Sequence, residues 1–233
     1  MIIWVRSLLF TIFFFLWTAI ACVLCLPLLL MPVQICVLSG RIWSAGVIFG
    51  ARIFAGIKFE VRGRENIPEG GAIIAAKHQS AWETIVFYSI LDSPVYVLKK
   101  GLEYIPIFGW YFKRIRTIAV DRSAGASALK HLIHESKDRV ARGRQIIIFP
   151  EGTRVPYREK AVYQSGIMAI YKSTGLPVTP VALNSGKCWP KNSFKKMSGT
   201  IVMEFLPAIS PGLKKSEFMT VLEEKIEAAC NKM

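Results

Sequence analysis

His78 and Glu83 have the residue types and the spacing for general-base chemistry. The apolar run from Ile73 to Ala76 predicts a buried strand, and a helical pattern follows it from about Ser80. Two side chains five residues apart on one continuous helix would point about 140° away from each other. They meet only if His78 precedes the helix and Glu83 lies in its first turn. A carboxylate on the far ring nitrogen of a histidine fixes the tautomer and stabilises the imidazolium, which makes a general base.

Glu83 also fits a structural role. The four residues from Ser80 to Glu83 read S-x-x-E, the capping-box pattern, in which the glutamate accepts a hydrogen bond from the backbone N–H of Ser80. The spacing alone leaves both roles of Glu83 open.

A second polar turn follows another apolar run, from Ile146 to Ile148, and reads F-P-E-G-T-R. Pro150 marks the end of a strand, because proline cannot donate a hydrogen bond to a sheet. Gly152 allows a tight turn or a close approach of the backbone to a ligand. Thr153 and Arg154 complete the motif.

The pattern H-x4-acid followed by F-P-E-G-T-R resembles the lysophosphatidate (1-acylglycerol-3-phosphate) acyltransferase family. Residues 118–122 (I-A-V-D-R) resemble the second block of that family, and residues 178–181 (V-T-P-V) resemble its fourth. Residues 99–110 also follow the family pattern. The resemblance extends from about Lys58 to Leu206, with the blocks in the expected order. Glu83 stands where the family usually has Asp, which keeps the charge and adds one methylene.

The resemblance implies transfer of a fatty acyl group from an acyl thioester, either acyl-CoA or acyl carrier protein, to the sn-2 hydroxyl of lysophosphatidate, giving phosphatidate. His78 would be the general base and Glu83 would hold its ring. The same fold acting on another lysolipid or on glycerol 3-phosphate is the alternative. No cofactor is expected, and no metal, because a thiolate is already a good leaving group. The implied substrate-binding residues are Lys100, Arg122 and Arg154 for the phosphate, Glu151 for the glycerol backbone, and Gly152 and Thr153 around the acceptor.

The composition indicates an anionic, membrane-like partner. The chain has 30 Lys and Arg against 16 Asp and Glu, a net charge of +14, and 52% of its residues are hydrophobic. Such a charge balance calls for an anionic partner. Nucleic acid is disfavoured, because the basic residues are scattered and no nucleic-acid-binding module organises them. Anionic membrane lipids are therefore the predicted partners.

The N-terminal segment is long and apolar enough to hold the protein on a membrane. The 34 residues from Ser7 to Gly40 contain no charged side chain, and about 20 apolar residues span a bilayer as a helix. Pro27 and Pro32 would break this run into two helices, whereas a single span ending near Leu38 fits the composition equally well. The family resemblance favours a two-helix hairpin embedded in one leaflet. Residues 1–57 are thus predicted to be a membrane anchor, on the cytoplasmic face of a bacterial inner membrane.

Residues 58–233 alternate between strand and helix patterns and predict an α/β sandwich with a largely parallel central sheet. In such sheets ligands bind beyond the carboxyl ends of the strands, and His78, Arg122 and Glu151 all follow predicted strands. Strands are expected near residues 58–62, 72–76, 94–98, 117–120, 146–149, 178–183 and 200–206. Helices are expected near residues 80–91, 123–142, 161–173 and 214–230.

Overall fold

A computed structural model describes all residues from Met1 to Met233 and contains seven strands and eight α-helices. The strands are β1 (Ile57–Arg62), β2 (Ala72–Ala76), β3 (Pro94–Lys99), β4 (Ile118–Val120), β5 (Gln145–Ile148), β6 (Val178–Leu183) and β7 (Gly199–Phe205). The helices are α1 (Ile2–Leu24), α2 (Val33–Gly50), α3 (Glu83–Ile90), α4 (Phe108–Arg114), α5 (Gly125–Ala141), α6 (Ser165–Thr174), α7 (Ser185–Cys188) and α8 (Lys215–Cys230).

The seven strands form one mixed sheet in the order β1-β7-β6-β2-β5-β3-β4. Every neighbouring pair is parallel except β6 and β7, which are antiparallel. Strands β2 to β6 therefore share one direction, and β1 and β7 run the opposite way at one edge. The predicted α/β sandwich with a largely parallel sheet is confirmed.

Successive residues of the central strands face opposite sides of the sheet, as the pleat requires. Ile73 and Ala75 of β2 pack into a core with α5, α6 and α8. Ile74 and Ala76 pack into a second core with α3 and with the N-terminal helices. Because both faces are covered, the central strands are fully buried and nearly continuous in hydrophobicity.

The N-terminal segment is a hairpin of two antiparallel helices, α1 and α2. Trp17 Nε1 donates to the carbonyl oxygen of Trp43 at 2.9 Å, and Arg6 Nε donates to that of Phe54 at 3.1 Å. Gly46 permits this close approach, since a Cβ atom there would lie 2.0 Å from the Trp17 ring. The predicted two-helix hairpin is thus present, and the alternative of one span ending near Leu38 is wrong.

The second helix of the hairpin packs directly on the α/β part of the chain. Ser44 Oγ donates to the carbonyl oxygen of Ile85 at 2.8 Å, and Gly40 lies against the Tyr88 ring. The outer side of the hairpin is different: α1 and α2 leave large apolar side chains exposed along their whole length, from Ile2 to Ile53. By length and composition, both Ile2–Leu24 and Val33–Ala55 could cross a membrane.

Two helices, α4 and α7, have no counterpart in the sequence prediction, and two others, α3 and α6, begin later than predicted. Helix α3 begins at Glu83 rather than near Ser80, because Ser80 Oγ accepts a hydrogen bond from the Trp82 N–H at 3.0 Å and closes a turn before the helix. Helix α4 was not predicted. It packs on the hairpin through the Tyr111 hydroxyl, which donates to the Cys22 carbonyl oxygen at 2.8 Å.

Candidate active site

The predicted functional residues gather where the carboxyl ends of the parallel strands meet. His78 follows β2, Lys100 follows β3, Arg122 follows β4, and the turn containing Glu151 follows β5. Because these strands are parallel neighbours in the sheet, their ends lie side by side. Ligands bind at this edge of open parallel sheets. The sequence analysis missed Ser185, which follows β6 at the same edge.

His78 and Glu83 form the pair that their spacing predicts. His78 lies in the turn before α3, and Glu83 is the first residue of that helix. Their closest atoms, His78 Nδ1 and Glu83 Oε1, are 2.9 Å apart. Since an ionised carboxylate only accepts hydrogen bonds, Nδ1 carries the proton and the Nε2 lone pair is left for a substrate.

Glu83 also satisfies the capping-box pattern, so the two roles are compatible. Its Oε1 accepts hydrogen bonds from the backbone N–H groups of Gln79 and Ser80, both at 2.6 Å. Its Oε2 accepts from the Ser185 hydroxyl at 2.7 Å. The side chain is fully buried, so this set of donors fixes the carboxylate and, through it, the imidazole of His78.

The imidazole ring of His78 is held from its face as well. It stacks on the Phe149 ring at 4.0 Å between centroids and 16° between planes. The His78 carbonyl oxygen accepts from the Val155 N–H at 2.7 Å, which ties the turn after β2 to the turn after β5. The imidazole is 15% exposed and is therefore the accessible member of the pair.

Glu151 lies beneath His78 and is fully buried. Its Oε2 accepts a hydrogen bond from the His78 backbone N–H at 2.8 Å, and its Oε1 lies 2.8 Å from Lys77 Nζ. The sequence analysis expected Glu151 to bind the glycerol backbone. In the structure the Glu151 side chain has no exposed surface, and its oxygens contact the Lys77 ammonium group and the His78 backbone N–H.

Lys77 joins two buried carboxylates, since its Nζ also lies 2.6 Å from Glu227 Oε1 on helix α8. Burial lowers the pKa of Lys77, but Glu151 and Glu227 outweigh it and the pKa is raised overall. Burial raises the pKa of Glu151, and the ion pair with Lys77 only partly offsets this shift. One ammonium group shared between two carboxylates leaves the cluster short of positive charge.

Gly152 and Arg122 come together at the surface of the site. Gly152 has φ +69°, a conformation that L side chains rarely adopt, and a Cβ there would lie 3.4 Å from Nη1 of Arg122. Arg122 is exposed and makes no hydrogen bond or ion pair within the chain. Its guanidinium is thus free beside the turn after β5.

The remaining predicted residues lie around this group. Thr153 is exposed on the same turn, and Lys100 is exposed at the end of β3. Arg154 makes only a long contact, 3.5 Å from its Nη2 to Oδ1 of Asn192, and its carbonyl oxygen accepts from Lys191 Nζ at 2.7 Å. The Arg154 side chain is therefore directed to the segment 190–192, whereas Arg122 lies against Gly152.

A small apolar cavity lies where the hairpin, α3 and α4 meet. Trp43 and Gly40 line it from α2, and Tyr88 and Phe108 line it from the α/β part. A row of aromatic rings runs from this cavity toward His78: Tyr88 contacts Tyr96 at 5.4 Å, Tyr96 contacts Phe149 at 6.3 Å, and Phe149 stacks on His78.

The known proteins that this chain is similar to are acyltransferases. A family model described as Acyltransferase matches residues 58–184. The chain is 39% identical over 186 residues to the 1-acyl-sn-glycerol-3-phosphate acyltransferase of Pseudomonas aeruginosa, a match covering 80% of this chain and 72% of that protein. It is 29% identical over 134 residues to the lyso-ornithine lipid O-acyltransferase of the same species, covering 58% of this chain and 51% of that protein. The crystal structure of the 1-acyl-sn-glycerophosphate acyltransferase PlsC from Thermotoga maritima has the same fold, with a TM-score of 0.80, 21% identity, and coverage of 97% and 95% of the two chains.

Proposed function

The chain belongs to the acyltransferase family, and from this premise we propose that it transfers a fatty acyl group from an acyl thioester to the sn-2 hydroxyl of lysophosphatidate, giving phosphatidate. The observation that supports this most directly is the His78–Glu83 pair at 2.9 Å, with Nε2 of His78 left free at the strand edge. Similarity to a 1-acyl-sn-glycerol-3-phosphate acyltransferase over 80% of the chain supports the choice of acceptor.

The reaction follows from the chemistry of this pair. His78 Nε2 takes the proton of the sn-2 hydroxyl while the hydroxyl oxygen attacks the thioester carbonyl carbon. Glu83 stabilises the imidazolium that forms. The tetrahedral intermediate then collapses, the C–S bond breaks, and the departing thiolate takes the proton from His78. No group of the protein becomes acylated in this sequence of steps.

Arg122 is the best candidate for the acceptor's phosphate. A phosphate monoester carries nearly two negative charges, and a free guanidinium binds it in a bidentate fork. Arg122 has no partner within the chain and lies beside Gly152, whose missing side chain leaves room for the acceptor. Arg154, Lys100 and Thr153 would complete the acceptor site from the neighbouring turns.

The acyl chain needs an apolar surface beside His78, and Phe149 provides one by stacking on the His78 ring. The apolar cavity beside the hairpin has a volume of only about 60 Å³ and is separated from Phe149 by the buried rings of Tyr88 and Tyr96, so it does not hold a whole acyl chain. We propose that the hairpin is embedded in one leaflet, on the cytoplasmic face, where acyl-CoA or acyl carrier protein is present.

The second candidate is acyl transfer to a different lysolipid. The relative that acts on lyso-ornithine lipid keeps this alternative open, because that acceptor bears an amino acid in place of a phosphate. The two functions make opposite demands on Arg122. A phosphate acceptor needs the free guanidinium, and an acceptor without phosphate does not.

The test is acyl transfer by the purified full-length chain, with a radiolabelled acyl thioester and a panel of three acceptors. We expect lysophosphatidate to be used well, and lyso-ornithine lipid and monoacylglycerol to be used poorly. His78→Ala should abolish transfer while leaving the thermal unfolding temperature unchanged. Preferential use of lyso-ornithine lipid would exclude lysophosphatidate as the substrate and leave the acyltransferase assignment standing.

The Arg122→Ala variant sharpens this test. A hydrogen bond to a charged group contributes about 1.5–3 kcal/mol, so kcat/KM for lysophosphatidate should fall roughly 10- to 150-fold. Arg122→Lys should recover only part of the loss, because a point charge replaces a planar fork. Monoacylglycerol is the control acceptor. An equal loss with both acceptors would show that Arg122 has a structural role.

A further inference from the structure

A second cavity lies far from His78, at the amino ends of the parallel strands. Its volume is about 300 Å³, and its lining contains four arginines: Arg116, Arg139, Arg142 and Arg144. Arg144 directly precedes β5, whereas the active-site turn follows the other end of that strand. Arg144 and Phe149 flank β5 and are five positions apart, which in an extended chain is about 16 Å, so the cavity and the catalytic pair are separate sites.

Arg144 is a buried cation without a carboxylate partner. It is 6% exposed and donates to three carbonyl oxygens, those of Ser93 at 3.2 Å, Ile115 at 3.2 Å and Pro94 at 3.1 Å. Burial lowers the pKa of Arg144 to about 10, with Arg139 and Arg116 acting in the same direction, so the group stays charged at neutral pH. A buried charge without a counter-charge is costly.

The other three arginines are neutralised to different degrees. Arg139 is fully paired, with Glu135 and Asp138 and with the Arg116 carbonyl oxygen, whereas Arg142 only shares Asp138, whose Oδ1 lies 2.8 Å from its Nε. Arg116 has no ion pair, and its φ of 57° holds a non-glycine residue in the left-handed region. The cluster thus has four guanidinium groups against two carboxylates, which leaves an excess of two positive charges at the cavity.

The start of helix α2 adds a partial positive charge at the same place. Val33 and Gln34, its first two residues, line the cavity. The helix begins after Pro32, has no side-chain cap and has no acidic residue in its first turn. The N–H groups of Val33 and Gln34 have no acceptor in the chain, whereas those of Ile35 and Cys36 donate to the Pro32 carbonyl oxygen. An anion would satisfy the two free N–H groups and the helix dipole.

The cavity opens beside the apolar turn of the hairpin. Leu30 is 86% exposed, and Met31 and Ile35 are each 44% exposed. Arg114 fixes this turn by donating to the Leu29 carbonyl oxygen at 2.7 Å and to that of Met31. An anion that lies next to such a turn in a membrane is part of a lipid headgroup.

We propose that the cavity between the start of α2 and the four arginines binds the phosphate of an anionic glycerophospholipid. The proposal rests on the proposed embedding of the hairpin in a leaflet. The bound lipid would hold the hairpin turn at the level of the headgroups, at a site distinct from the one that binds the acceptor. A headgroup with no charge beyond its phosphodiester would offset one of the two excess positive charges.

The test measures binding of short-chain phosphatidylglycerol to the full-length chain in a non-ionic detergent by isothermal titration. The chain carries His78→Ala and Arg122→Ala, so the result does not depend on acyl transfer or on the acceptor's phosphate site. The cavity variant adds Arg116→Asn and Arg142→Gln, because asparagine tolerates the left-handed φ at position 116. The matched control adds Lys172→Gln and Lys214→Gln, which remove the same charge from the exposed surface.

We expect one phosphatidylglycerol per chain, binding weakened at least tenfold in the cavity variant and unchanged in the control. Phosphatidylcholine should bind more weakly, because its choline cation meets the excess positive charge. Equal binding by the cavity variant and its parent would overturn the proposal. Inorganic phosphate that binds as tightly as the lipid would also overturn it, by identifying a soluble anion as the ligand.

Discussion

Glu83 is a buried carboxylate with a structural role and, in the proposed mechanism, a chemical one. Its Oε1 accepts from His78, Gln79 and Ser80, and its Oε2 accepts from Ser185. A glutamine could keep all of these contacts, with its NH2 group placed against the Ser185 oxygen, but it would lose the charge that stabilises the imidazolium. The two roles of Glu83 can therefore be separated by one substitution.

For Glu83→Gln we expect the fold to survive and kcat to fall about 100-fold or more, since general acid–base catalysis contributes about 10²–10⁴-fold. Glu83→Asp should retain part of the activity, because it keeps the charge. Steady-state kinetics of acyl transfer, with thermal unfolding measured on the same samples, checks both. Ser185→Ala is the control: it removes one hydrogen bond to the same carboxylate, worth about 1.5–3 kcal/mol, but keeps the charge, so it should retain more activity than Glu83→Gln. Full activity of Glu83→Gln would leave Glu83 only its capping role.

Glu151 has a pH-dependent effect on stability. Because burial raises its pKa above the ordinary value of 4.5, the folded chain binds more protons than the unfolded chain as the pH rises past 4.5. The contribution of Glu151 to stability is thus greatest at low pH and is lost as the pH rises through its folded pKa. We expect wild type to lose unfolding temperature relative to the Glu151→Gln variant as the pH rises from 4.5. The measurement is the difference between the two unfolding temperatures at each pH. A difference that grows with pH would mean that the Lys77 ion pair outweighs burial.

The residues that the sequence predicts best are those close together in the chain. His78 and Glu83 are five positions apart, so one turn geometry suffices to place them together. Ser185 lies 102 positions from Glu83, and Glu227 lies 150 positions from Lys77. Those pairs are set by the order of the strands and by the docking of α8. The sequence did contain a signal for Ser185, because Asn184 and Ser185 are a polar pair directly after a predicted strand.

At the scale of elements, glycines determine how closely the hairpin helices approach. A Cβ at Gly46 would lie 2.0 Å from the Trp17 ring, and a Cβ at Gly50 would lie 2.0 Å from the Phe13 ring. Such contacts force the helices apart and break the hydrogen bond from Trp17 to the Trp43 carbonyl oxygen. The hairpin therefore depends on small residues on one side of α2.

We expect Gly46→Val to destabilise the protein by about 1–3 kcal/mol, which is typical of overpacking. For a chain of this length the unfolding temperature should fall by about 2–4 °C for each kcal/mol. Gly101→Val is the matched control, because a Cβ at Gly101 meets nothing within 4 Å and its φ is not positive. Thermal unfolding in detergent gives both values. Equal unfolding temperatures for the two variants would contradict the close packing of the hairpin.

The elements that the sequence did not predict have local physical reasons. Helix α4 has seven residues and follows Pro106 and Ile107, the latter with a left-handed φ of 65°. Short apolar runs beside proline and glycine show no clear hydrophobic periodicity, so neither helix nor strand is predicted there. The start of α3 was shifted because the Ser80 hydroxyl closes a turn before the helix. The strands were predicted well, because each is bounded by turn residues and is either a mainly apolar run or, in β1, an alternation of apolar and charged residues.

At the scale of the whole molecule, the hairpin and the α/β part share one hydrophobic core. Phe10 and Cys36 of the hairpin belong to the same buried cluster as Ile85 and Phe87 of α3. Composition predicted an anchor at residues 1–57, but it could not predict this shared core, because the inner and outer sides of the hairpin are both apolar. The pairing of β7 with both β6 and β1 could not be predicted from the pattern of strands either, because no local feature of the sequence fixes the order of strands in a sheet.

The shared core makes deletion of residues 1–57 a poor test of membrane binding. Removal of the hairpin would expose the buried side of α3, and we expect the remaining chain to be insoluble. Substitutions on the outer side of α1 avoid this difficulty. Leu9 and Leu16 are 47% and 59% exposed and lie seven residues apart, on the same side of the helix.

The double variant Leu9→Glu, Leu16→Glu should keep its unfolding temperature in detergent and lose most of its binding to liposomes. Each acidic side chain at hydrocarbon depth costs about 2.5–3.5 kcal/mol, whereas in detergent both carboxylates can reach water. The control is Ala126→Glu, Leu129→Glu on α5, which covers the opposite face of the sheet and should leave flotation with liposomes unchanged. Undiminished flotation of the α1 variant would mean that another surface anchors the protein, and the basic segment from Lys187 to Lys196 is then the candidate. High salt would release the protein from such a surface, because exposed charges are screened beyond about 10 Å at 0.1 M, but would not release a buried hairpin.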